Sequence, residues 1–552
     1  MNLRCSRLMQ HRISCLRAAP SHSVTATSLP RVHLPSRMSS SAATSARSYD
    51  AALAKLNLLA SNRTITTLFE KPRQQDTSAP ASSPPSPPQD LNAQAIPEML
   101  AWLRRAGYTP RDLAAMRHIH VAGTKGKGSV CAFATSLLRT ACQRNDDQQR
   151  PVGTYMSPHL VSPRERIAID GAPVSQAVFA EAFWQLWERF TAAAVAEGQP
   201  RAVAEGASSK PFYFRFLTIL AWHIFLQRGV RDVVMECGIG GEHDATNVLP
   251  PEAVSAAVVS QLGIDHVAML GDTVEKIAWH KAGILKPGVT GFTLGLEREP
   301  AVMQVLRQRA AGRGARFVEV DEAAVDAWPG VESALRGDFQ KRNQALAVLA
   351  VQQHLGIRDE TASTAEALAH LSADMVQGLR EATLRGRCEI IHDEQHGVEW
   401  MLDGAHTRDS IVEVAKWLAQ SVSEDESVTL IFNQQERDAP KLLGYLIDSV
   451  AAATKGRNVF ARALFTRNEQ TASDHGGDLS VQNALAEAMG TLVPECRASI
   501  FDNVQSAVAE VRKTSAAAAA TGGLGKKQKV LVTGSLHLVG GIMRAIEPDS
   551  LL

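Results

Sequence analysis

The sequence has no excess of charge of either sign, no paired cysteines and no long apolar run. Its 58 Lys and Arg residues are balanced by 57 Asp and Glu residues, for a formal net charge of +1. Such a chain has no overall field to attract nucleic acid or an anionic membrane, so neither partner is expected. The seven cysteines are scattered without a Cys-x-x-Cys pair, which indicates a reducing compartment and no structural zinc. The most apolar stretch, residues 212–225, is too short to cross a bilayer and contains Arg215, so it predicts a buried helix.

Acidic residues are missing from the first 49 positions, which contain seven arginines and many serines. This composition is typical of a mitochondrial transit peptide, so we predict a targeting segment over residues 1–48; a disordered basic tail is the alternative. Met38 lies inside this segment, and a start there would leave a shorter, cytosolic form. We therefore expect both a mitochondrial location (matrix or inner-membrane associated) and a cytoplasmic one.

Three stretches have compositions that predict loops. Proline and serine dominate residues 75–92, which cannot form a core and are expected to be exposed. Residues 191–209 and 515–527 are rich in Ala and Gly, and we predict that both are loops.

Strand-like and helical patterns alternate along the rest of the chain, which predicts an α/β protein with mostly parallel sheets covered on both faces. We predict a P-loop-type α/β domain over residues 49–383 and a smaller Rossmann-like α/β domain over residues 384–552. The strand candidates are residues 118–121, 232–236, 256–261, 291–294 and 315–320 in the first domain and 388–392, 399–402, 427–432, 458–465 and 529–533 in the second.

The stretch HVAGTKGKGSV, residues 120–130, departs from the common phosphate-loop pattern, in which Ser or Thr directly follows the lysine of G-x-x-x-x-G-K. Val121 stands where the first glycine belongs, Gly128 follows Lys127, and Ser129 comes one place late. A short strand precedes the loop and an amphipathic helix follows it near Ser129. This arrangement aims backbone N–H groups and a helix N-terminus at one point, which suits phosphate oxygens.

Three glycines, Gly123, Gly126 and Gly128, would let the backbone approach a phosphate closely, and Lys127 could neutralise its charge. A solvated glycine turn with two lysines is the alternative. Because the loop joins a strand to a helix, ATP binding is the better interpretation.

Possible Mg²⁺ ligands follow the neighbouring strands. Glu236 ends the strand in VVMECGIGG and would lie at the sheet edge where open α/β sheets bind ligands. His266 in QLGIDHVAML and Ser157 in YMSPHL come after other strands. Each residue alone is equally compatible with a structural role, and only their order after a phosphate loop suggests a metal site.

Seven motifs in order resemble the folylpolyglutamate synthases of the Mur ligase superfamily, and this resemblance covers nearly everything from Tyr49 onward. This family's loop reads G-T-[N/K]-G-K-G-S, which explains the departure from the common pattern. The motifs are HVAGTKGKGSV, SPHLVSPRERI, ECGIGGEHDATN, LGIDHVAMLGDTVEKIAWHKAGILKPG, GDFQKRNQALA, LDGAHT and VLVTGSLHLVGG.

The resemblance implies an ATP site shared by both domains. Asn343 would lie near the adenine, and Arg387 and Asp403 would close over the triphosphate and ribose. The phosphates would be held by Gly123, Thr124, Lys125, Gly126, Lys127, Gly128 and Ser129.

The resemblance also implies two Mg²⁺ ions; whether a monovalent cation such as K⁺ takes part is left open. Ser157 and Glu236 would bind the first ion. His266, with Lys281 as a carbamate, would bind the second, because a carbamate presents oxygens where an ammonium repels the metal; an ordinary surface lysine is the alternative.

His406 and Ser535 face the same cleft in relatives and would handle the incoming glutamate. Two positions depart from the family pattern: relatives commonly have Trp-Pro-Gly-Arg where this chain has LRGR, residues 384–387. The backbone before Arg387 is therefore expected to differ.

The implied reaction is ATP-dependent ligation of L-glutamate to a reduced folate through an acyl phosphate, by a monomeric enzyme. No Ser-His-Asp set suited to nucleophilic catalysis is evident, and phosphoryl transfer needs none. Dihydrofolate synthase, which joins glutamate to dihydropteroate, is the alternative within this chemistry. A small-molecule kinase and a non-catalytic nucleotide-binding protein are the alternatives outside it.

Overall fold

The computed structural model describes residues 47–60, 94–143, 150–435, 438–470, 477–520 and 527–548. All of them belong to one compact unit, Arg47–Leu552. Nearly all of the predicted transit peptide, including Met38, and the whole proline-rich stretch at residues 75–92 lie outside the described residues.

Eight strands form the first sheet, in the order β4-β3-β2-β5-β1-β6-β7-β8. The six strands from β2 to β8 in this order run parallel, and only β3 and β4, at one edge, are antiparallel. The central strand β5 is buried along its whole length and β6 at every residue except the partly buried Ser255, as expected for a parallel sheet covered on both faces. The bounds are β1 Arg117–Ala122, β2 Val152–Tyr155, β3 Ile167–Ile169, β4 Ala172–Pro173, β5 Asp232–Glu236, β6 Val254–Val259, β7 Thr290–Leu294 and β8 Arg316–Val320.

Helices pack on the two faces of this sheet and together with it form the first lobe. On one face, Gly378 lets the helix Ala373–Glu381 approach the helix that follows the glycine loop, since a Cβ there would lie 2.9 Å from the Leu137 Cα. The helices are Tyr49–Ala60, Ala95–Arg105, Pro110–Leu113, Lys127–Gln143, Gln176–Ala196, Arg201–Ala204, Tyr213–Gln227, Val267–Leu270, Val274–Lys281, Pro300–Arg313, Glu322–Ala327, Gln340–Leu355, Thr364–Ala369 and Ala373–Glu381.

A six-stranded sheet in the order β13-β12-β11-β14-β10-β9 forms the second lobe together with five helices among the described residues. Its strands are parallel except β9, which pairs antiparallel with β10. The strands are β9 Glu389–Asp393, β10 Val398–Leu402, β11 Val428–Phe432, β12 Phe460–Thr466, β13 Arg497–Phe501 and β14 Gln528–Thr533, and the helices are Arg408–Ser421, Ala439–Ala453, Ser480–Leu492, Val504–Ala520 and Leu536–Ile546.

The predicted α/β class with a large, mostly parallel first sheet is confirmed, whereas the exact domain bounds stay a prediction. Two loop predictions were wrong in part. Residues 191–196 continue the helix Gln176–Ala196, and residues 515–520 end the helix Val504–Ala520. Alanine favours helix strongly, so a run rich in Ala extends a helix that has already begun.

The apolar stretch at residues 212–225 forms the buried helix Tyr213–Gln227, as predicted. In the part of the chain that the structure describes, no helix combines the length and apolar character needed to cross a bilayer.

Candidate active site between the two sheets

The carboxyl edge of the first sheet brings three chain segments together at its centre. Strand β1 lies between β5 and β6, with Val121 paired to Glu236 and Ala122 paired to Val259. Because parallel strands end at the same edge, the glycine loop after β1, Glu236 and the loop after β6 meet there.

The glycine loop is tied to the end of β6 by hydrogen bonds. The N–H groups of Thr124 and Lys125 both donate to the Gln261 carbonyl (2.8 and 3.1 Å), and the Ser260 hydroxyl donates to the Lys125 carbonyl (2.7 Å). Gly126 has a φ of +79°, and a Cβ there would lie 2.3 Å from the Oδ1 of the adenine-site candidate Asn343. Only glycine fits this left-handed position.

The helix after the loop begins at Lys127, slightly earlier than the sequence pattern predicted. N–H groups in the first turn of a helix have no partner within it and carry the positive end of the helix dipole. Lys127, Gly128 and Ser129 all line the cleft described below. The first turn therefore presents an end that suits an anion such as phosphate.

Glu236 contacts both the loop lysine and Ser157. Lys127 Nζ lies 3.9 Å from Glu236 Oε1, and the Ser157 N–H donates to Glu236 Oε2 (2.9 Å). Burial raises the pKa of Glu236, while the charge of Lys127 and the hydrogen bond from Ser157 oppose that rise. Two of the predicted metal ligands are thus in contact beside the loop.

This pair suits Mg²⁺, which is commonly held by one or two protein oxygens and completed by substrate phosphates and water. The described ranges contain no group of three or more His, Cys, Asp or Glu side chains that would hold a metal through protein ligands alone. The chemistry of the donors therefore fits an ion that arrives with a nucleotide.

The two residues predicted for a second ion occupy different positions. Lys281 is buried, and its ammonium donates to the Gly123 carbonyl (2.7 Å). Burial, followed by the charge of Lys127, lowers the pKa of Lys281 to about 7. His266 is 46% exposed, with Nε2 3.8 Å from an oxygen of Asp265. The structure thus places Lys281 behind the loop and His266 in the cleft wall.

In the second lobe, Arg387 precedes β9 and Asp403 follows β10, so both lie at the same edge of the sheet because these two strands are antiparallel. Asp403 accepts hydrogen bonds from the N–H groups of Cys388 and Ala405 (both 2.9 Å). Burial raises the pKa of Asp403, and the charge of Arg387 opposes the rise. Gly386 and Cys388 have φ values of +71° and +44°, so the chain turns in left-handed conformations on both sides of Arg387.

The remaining predicted residues line the same region. Asn343 is buried and donates to the Gln340 side chain (2.9 Å). The His406 Nδ1 lies 3.1 Å from the Gly404 carbonyl oxygen. Ser535 precedes the helix Leu536–Ile546, and its hydroxyl accepts from the His537 N–H (3.1 Å).

One cleft of about 1130 Å³ lies between the lobes and collects most of these side chains. An ion pair between Lys125 of the loop and Asp409 of the second lobe (2.7 Å) joins the two walls. Of the predicted residues, Gly123 and Lys281 are buried behind the loop. Those that line the cleft are Thr124, Lys125, Gly126, Lys127, Gly128, Ser129, Ser157, Glu236, His266, Asn343, Arg387, Asp403, His406 and Ser535.

Sequence comparison identifies the relatives of this chain. It is 38% identical over 477 residues to folylpolyglutamate synthase of Neurospora crassa, a match that covers 83% of this chain and 86% of that protein. It is 36% identical over 485 residues to a probable folylpolyglutamate synthase of Schizosaccharomyces pombe, covering 83% and 88%. The chain belongs to the folylpolyglutamate synthase family. No protein-family model matches it.

Solved structures of folylpolyglutamate synthases share the fold. The Mycobacterium tuberculosis enzyme complexed with ADP and AMPPCP aligns with a TM-score of 0.63 at 24% identity, over 82% of this chain and 96% of that chain. A complex of a folylpolyglutamate synthase with AMPPCP and folate aligns with a TM-score of 0.59 at 21% identity, over 91% and 100%.

Several cleft residues were not predicted from the sequence. Arg166 lies within the motif SPRERI, but nothing in the motif alone assigns it a contact. Asp265 precedes His266, and its negative charge opposes the lowering of the Lys281 pKa by burial. Phe214 and Asp244 reach the cleft from the helix Tyr213–Gln227 and the loop after β5. These residues become a group only when the strands that carry them are assembled.

Proposed function

We propose that this chain adds L-glutamate to the terminal glutamyl residue of a reduced folate in a reaction driven by ATP. The observation that carries the proposal is the shared cleft, where the phosphate loop and Glu236 of one lobe meet Arg387 and Asp403 of the other. Membership of the folylpolyglutamate synthase family supports the same substrates.

The chemistry follows from the poor reactivity of a carboxylate, whose leaving group would be oxide. A substrate carboxylate oxygen attacks the γ-phosphorus of ATP, the bond to the bridging oxygen breaks, and ADP leaves with an acyl phosphate formed. The amine of L-glutamate then attacks the acyl carbon, loses a proton, and expels phosphate as the amide forms.

The residues of the cleft serve this reaction by binding and charge neutralisation. The helix end at Lys127 holds the phosphates, and the Lys127 ammonium offsets the charge that moves during transfer. Arg387 adds a second cation from the opposite lobe. His406 and Ser535, on that lobe, are available for the incoming glutamate.

Mg²⁺ belongs to this proposal through Ser157 and Glu236, which would hold it beside the loop. When bound, the ion neutralises phosphate charge. A second ion would use His266 and Lys281, with Lys281 converted to a carbamate by CO₂. Mass spectrometry of the intact protein, prepared with and without bicarbonate, tests that modification, which adds one CO₂.

Phe212 and Phe214 give part of the cleft an aromatic lining. The Phe214 ring lies 5.9 Å from the ring of the buried Tyr155, which fixes its position. Flat aromatic groups pack well against such rings, so this part of the cleft suits the pteridine and benzoyl groups of folate.

Closure of the two lobes would protect the acyl phosphate, which water would otherwise hydrolyse. The Lys125–Asp409 ion pair already spans the cleft. Because one chain supplies both walls, a monomer suffices for the reaction.

The substrate-dependence assay tests the proposal. Purified protein is incubated with ATP, magnesium, radiolabelled glutamate and either tetrahydrofolate or dihydropteroate. We expect labelled product with tetrahydrofolate. Product only from dihydropteroate would show dihydrofolate synthase instead, and a phosphorylated product that forms without glutamate would show a kinase.

The proposed locations are the mitochondrion and the cytoplasm. The arginine-rich, acid-free first 49 residues support the first, and Met38 supplies a start for the second. N-terminal sequencing of the protein from both cell fractions tests this, and a single N-terminus at Met1 in both fractions would contradict it.

A further inference from the structure

Arg166 ends the one-turn helix Pro163–Arg166 and lines the cleft. Its carbonyl accepts the Met156 N–H (3.0 Å), and the next N–H along, that of Ser157, donates to Glu236. Two short backbone steps thus connect Arg166 to the carboxylate beside the phosphate loop. The charge of Arg166 is close enough to oppose the burial-driven rise in the pKa of Glu236.

The guanidinium of Arg166 is held from two sides without an acidic partner. Its Nε–H donates to His159 Nδ1 (2.9 Å), and its central carbon lies 5.5 Å from the centre of the Tyr213 ring. Among the residues that the structure describes, no carboxylate forms an ion pair with Arg166. Its two terminal nitrogens make no hydrogen bond to the described residues and so remain available to a ligand.

His159 fixes this orientation as a neutral group. It accepts the Arg166 Nε–H at Nδ1, which requires the ring proton to be on Nε2. A positively charged imidazole at this point would repel the guanidinium, so the pair is stable with the charge on Arg166 alone.

We propose that Arg166 binds the α-carboxylate of the terminal glutamyl residue of the folate, the residue whose γ-carboxylate is activated. This inference rests on the proposed function. A half-buried guanidinium whose two terminal nitrogens bond to none of the described residues is matched to a carboxylate, which it can bind through two parallel hydrogen bonds.

The position of Arg166 favours the acceptor residue over the incoming glutamate. It packs on Tyr213, whose neighbours Phe212 and Phe214 line the aromatic part of the cleft. Its carbonyl bonds to Met156, the residue before the Ser157 that contacts Glu236. The glutamyl group of folate connects the benzoyl group to the reacting γ-carboxylate. Its α-carboxylate branches from the carbon between them and therefore projects from the middle of this path. The candidates for the incoming amino acid, His406 and Ser535, are on the other lobe.

This contact would also select which carboxylate reacts. A glutamyl residue carries an α- and a γ-carboxylate, and both are chemically able to attack ATP. Holding the α-carboxylate on Arg166 leaves the γ-carboxylate to reach the phosphate loop, which makes each new bond a γ-amide.

The test combines a variant with an altered substrate. Arg166→Gln is compared with wild type on tetrahydrofolate and on the analogue whose terminal α-carboxylate is a carboxamide. Losing a hydrogen-bonded ion pair costs about 1.5–3 kcal/mol, so we expect the KM for tetrahydrofolate to rise about 10- to 100-fold. The KM values for ATP and glutamate should not change, and Arg166→Lys should recover part of the loss.

With the carboxamide analogue, wild type and Arg166→Gln should have the same kcat/KM, because the charge that Arg166 binds is gone. Arg307→Gln is the control, since Arg307 is exposed, is paired with Glu319 (2.6 Å) and does not line the cleft. Its kinetics should match wild type.

A rise in the KM for glutamate instead of tetrahydrofolate would overturn the assignment, as would a variant defect that persists unchanged with the carboxamide. Thermal melting of each variant shows whether it is folded. Wild-type protein that makes no folate product would defeat the proposed function, whereas an active wild type with a normal Arg166→Gln variant would defeat only this inference.

Discussion

At the scale of single residues, the site depends on charges that burial would otherwise disfavour. Glu236 is 3% exposed, yet Lys127 lies 3.9 Å from one of its oxygens and a backbone N–H lies at the other. An isolated buried carboxylate tends to take up a proton. Lys127 therefore acts on the predicted metal ligand as well as on the phosphates.

Lys127→Ala should abolish most turnover while the protein stays folded. The loss removes a cation aimed at developing charge, so we expect kcat to fall about 100-fold or more. Steady-state kinetics with circular dichroism and thermal melting measure both effects. Lys276→Ala, which removes an exposed lysine paired with Asp272, should leave both quantities unchanged; full activity in Lys127→Ala would contradict the assignment.

At the scale of secondary-structure elements, the amino edge of the first sheet is joined by a buried polar group. Asp232 at the start of β5 accepts from Arg117 at the start of β1 (2.7 Å) and lies 2.9 Å from His354 Nε2, on the helix Gln340–Leu355. The other ring nitrogen of His354 lies 2.6 Å from the Ser255 hydroxyl of β6. Three strands and one helix are thereby connected.

These three residues, Ser255, His354 and Asp232, have the composition of a nucleophilic triad, but their contacts hold strands and a helix together. The Ser255 hydroxyl also donates to the His118 carbonyl (3.0 Å), and Asp232 is shared with Arg117. The group lies at the opposite end of the strands from the cleft, since Asp232 begins β5 and Glu236 ends it. This group therefore stabilises the fold and does not act on a ligand in the cleft.

Asp232→Asn should destabilise the protein by about 1–3 kcal/mol at neutral pH, because buried donors lose a charged acceptor. Burial alone would raise the pKa of Asp232, but His354 and Arg117 lower it to about 2. A lowered folded-state pKa adds stability that is present above the ordinary carboxyl pKa and is lost as pH falls toward 2. Urea denaturation should show that the difference in the free energy of unfolding between wild type and variant becomes smaller from pH 4 to pH 2.

The exposed Glu332→Gln, which breaks only a surface pair with Arg336, is the control and should behave as wild type at every pH. A difference in the free energy of unfolding between Asp232→Asn and wild type that stays constant across the acid range would contradict the role of the Asp232 charge in stability.

At the scale of the whole molecule, the segment after Ser157 joins the lobes. The Leu160 carbonyl packs so closely on the helix Leu536–Ile546 that a Cβ on Gly540 would lie 2.0 Å from its oxygen. Arg544 of the same helix donates to the Val161 carbonyl (2.9 Å), and Val161 is buried in the core of the second lobe. The segment that follows Ser157, a predicted metal ligand, thus packs against the opposite lobe.

Gly540→Ala should therefore destabilise the protein by about 1–3 kcal/mol, as expected for overpacking. It should also reduce turnover, because the added methyl group would displace the segment that carries Ser157. Gly444→Ala is the matched control in another second-lobe helix, where an added Cβ meets nothing within 4 Å. It should stabilise the protein by about 0.5–1 kcal/mol, because alanine favours helix over glycine. Thermal denaturation and activity measurements on both variants test this prediction. Equal changes in stability and turnover for the two variants would exclude a role for the contact with Leu160.

The sequence by itself determined the α/β class, the phosphate loop and the family. Those depend on local order: alternating periodicities, glycines at fixed spacing, and motifs in one sequence. In the structure the Ser157 N–H donates to Glu236 (2.9 Å), because residues that end parallel strands meet at one edge; the role of this pair as metal ligands stays a prediction.

Only the tertiary structure decided which side chains touch. Arg166 and His159 lie seven residues apart, yet their pairing, their support by Tyr213 and the absence of an acidic partner among the described residues depend on how β3, the helix Tyr213–Gln227 and the second lobe pack. The contact of Lys281 with Gly123 spans 158 positions. Such contacts arise from the three-dimensional order of strands, which no local pattern encodes.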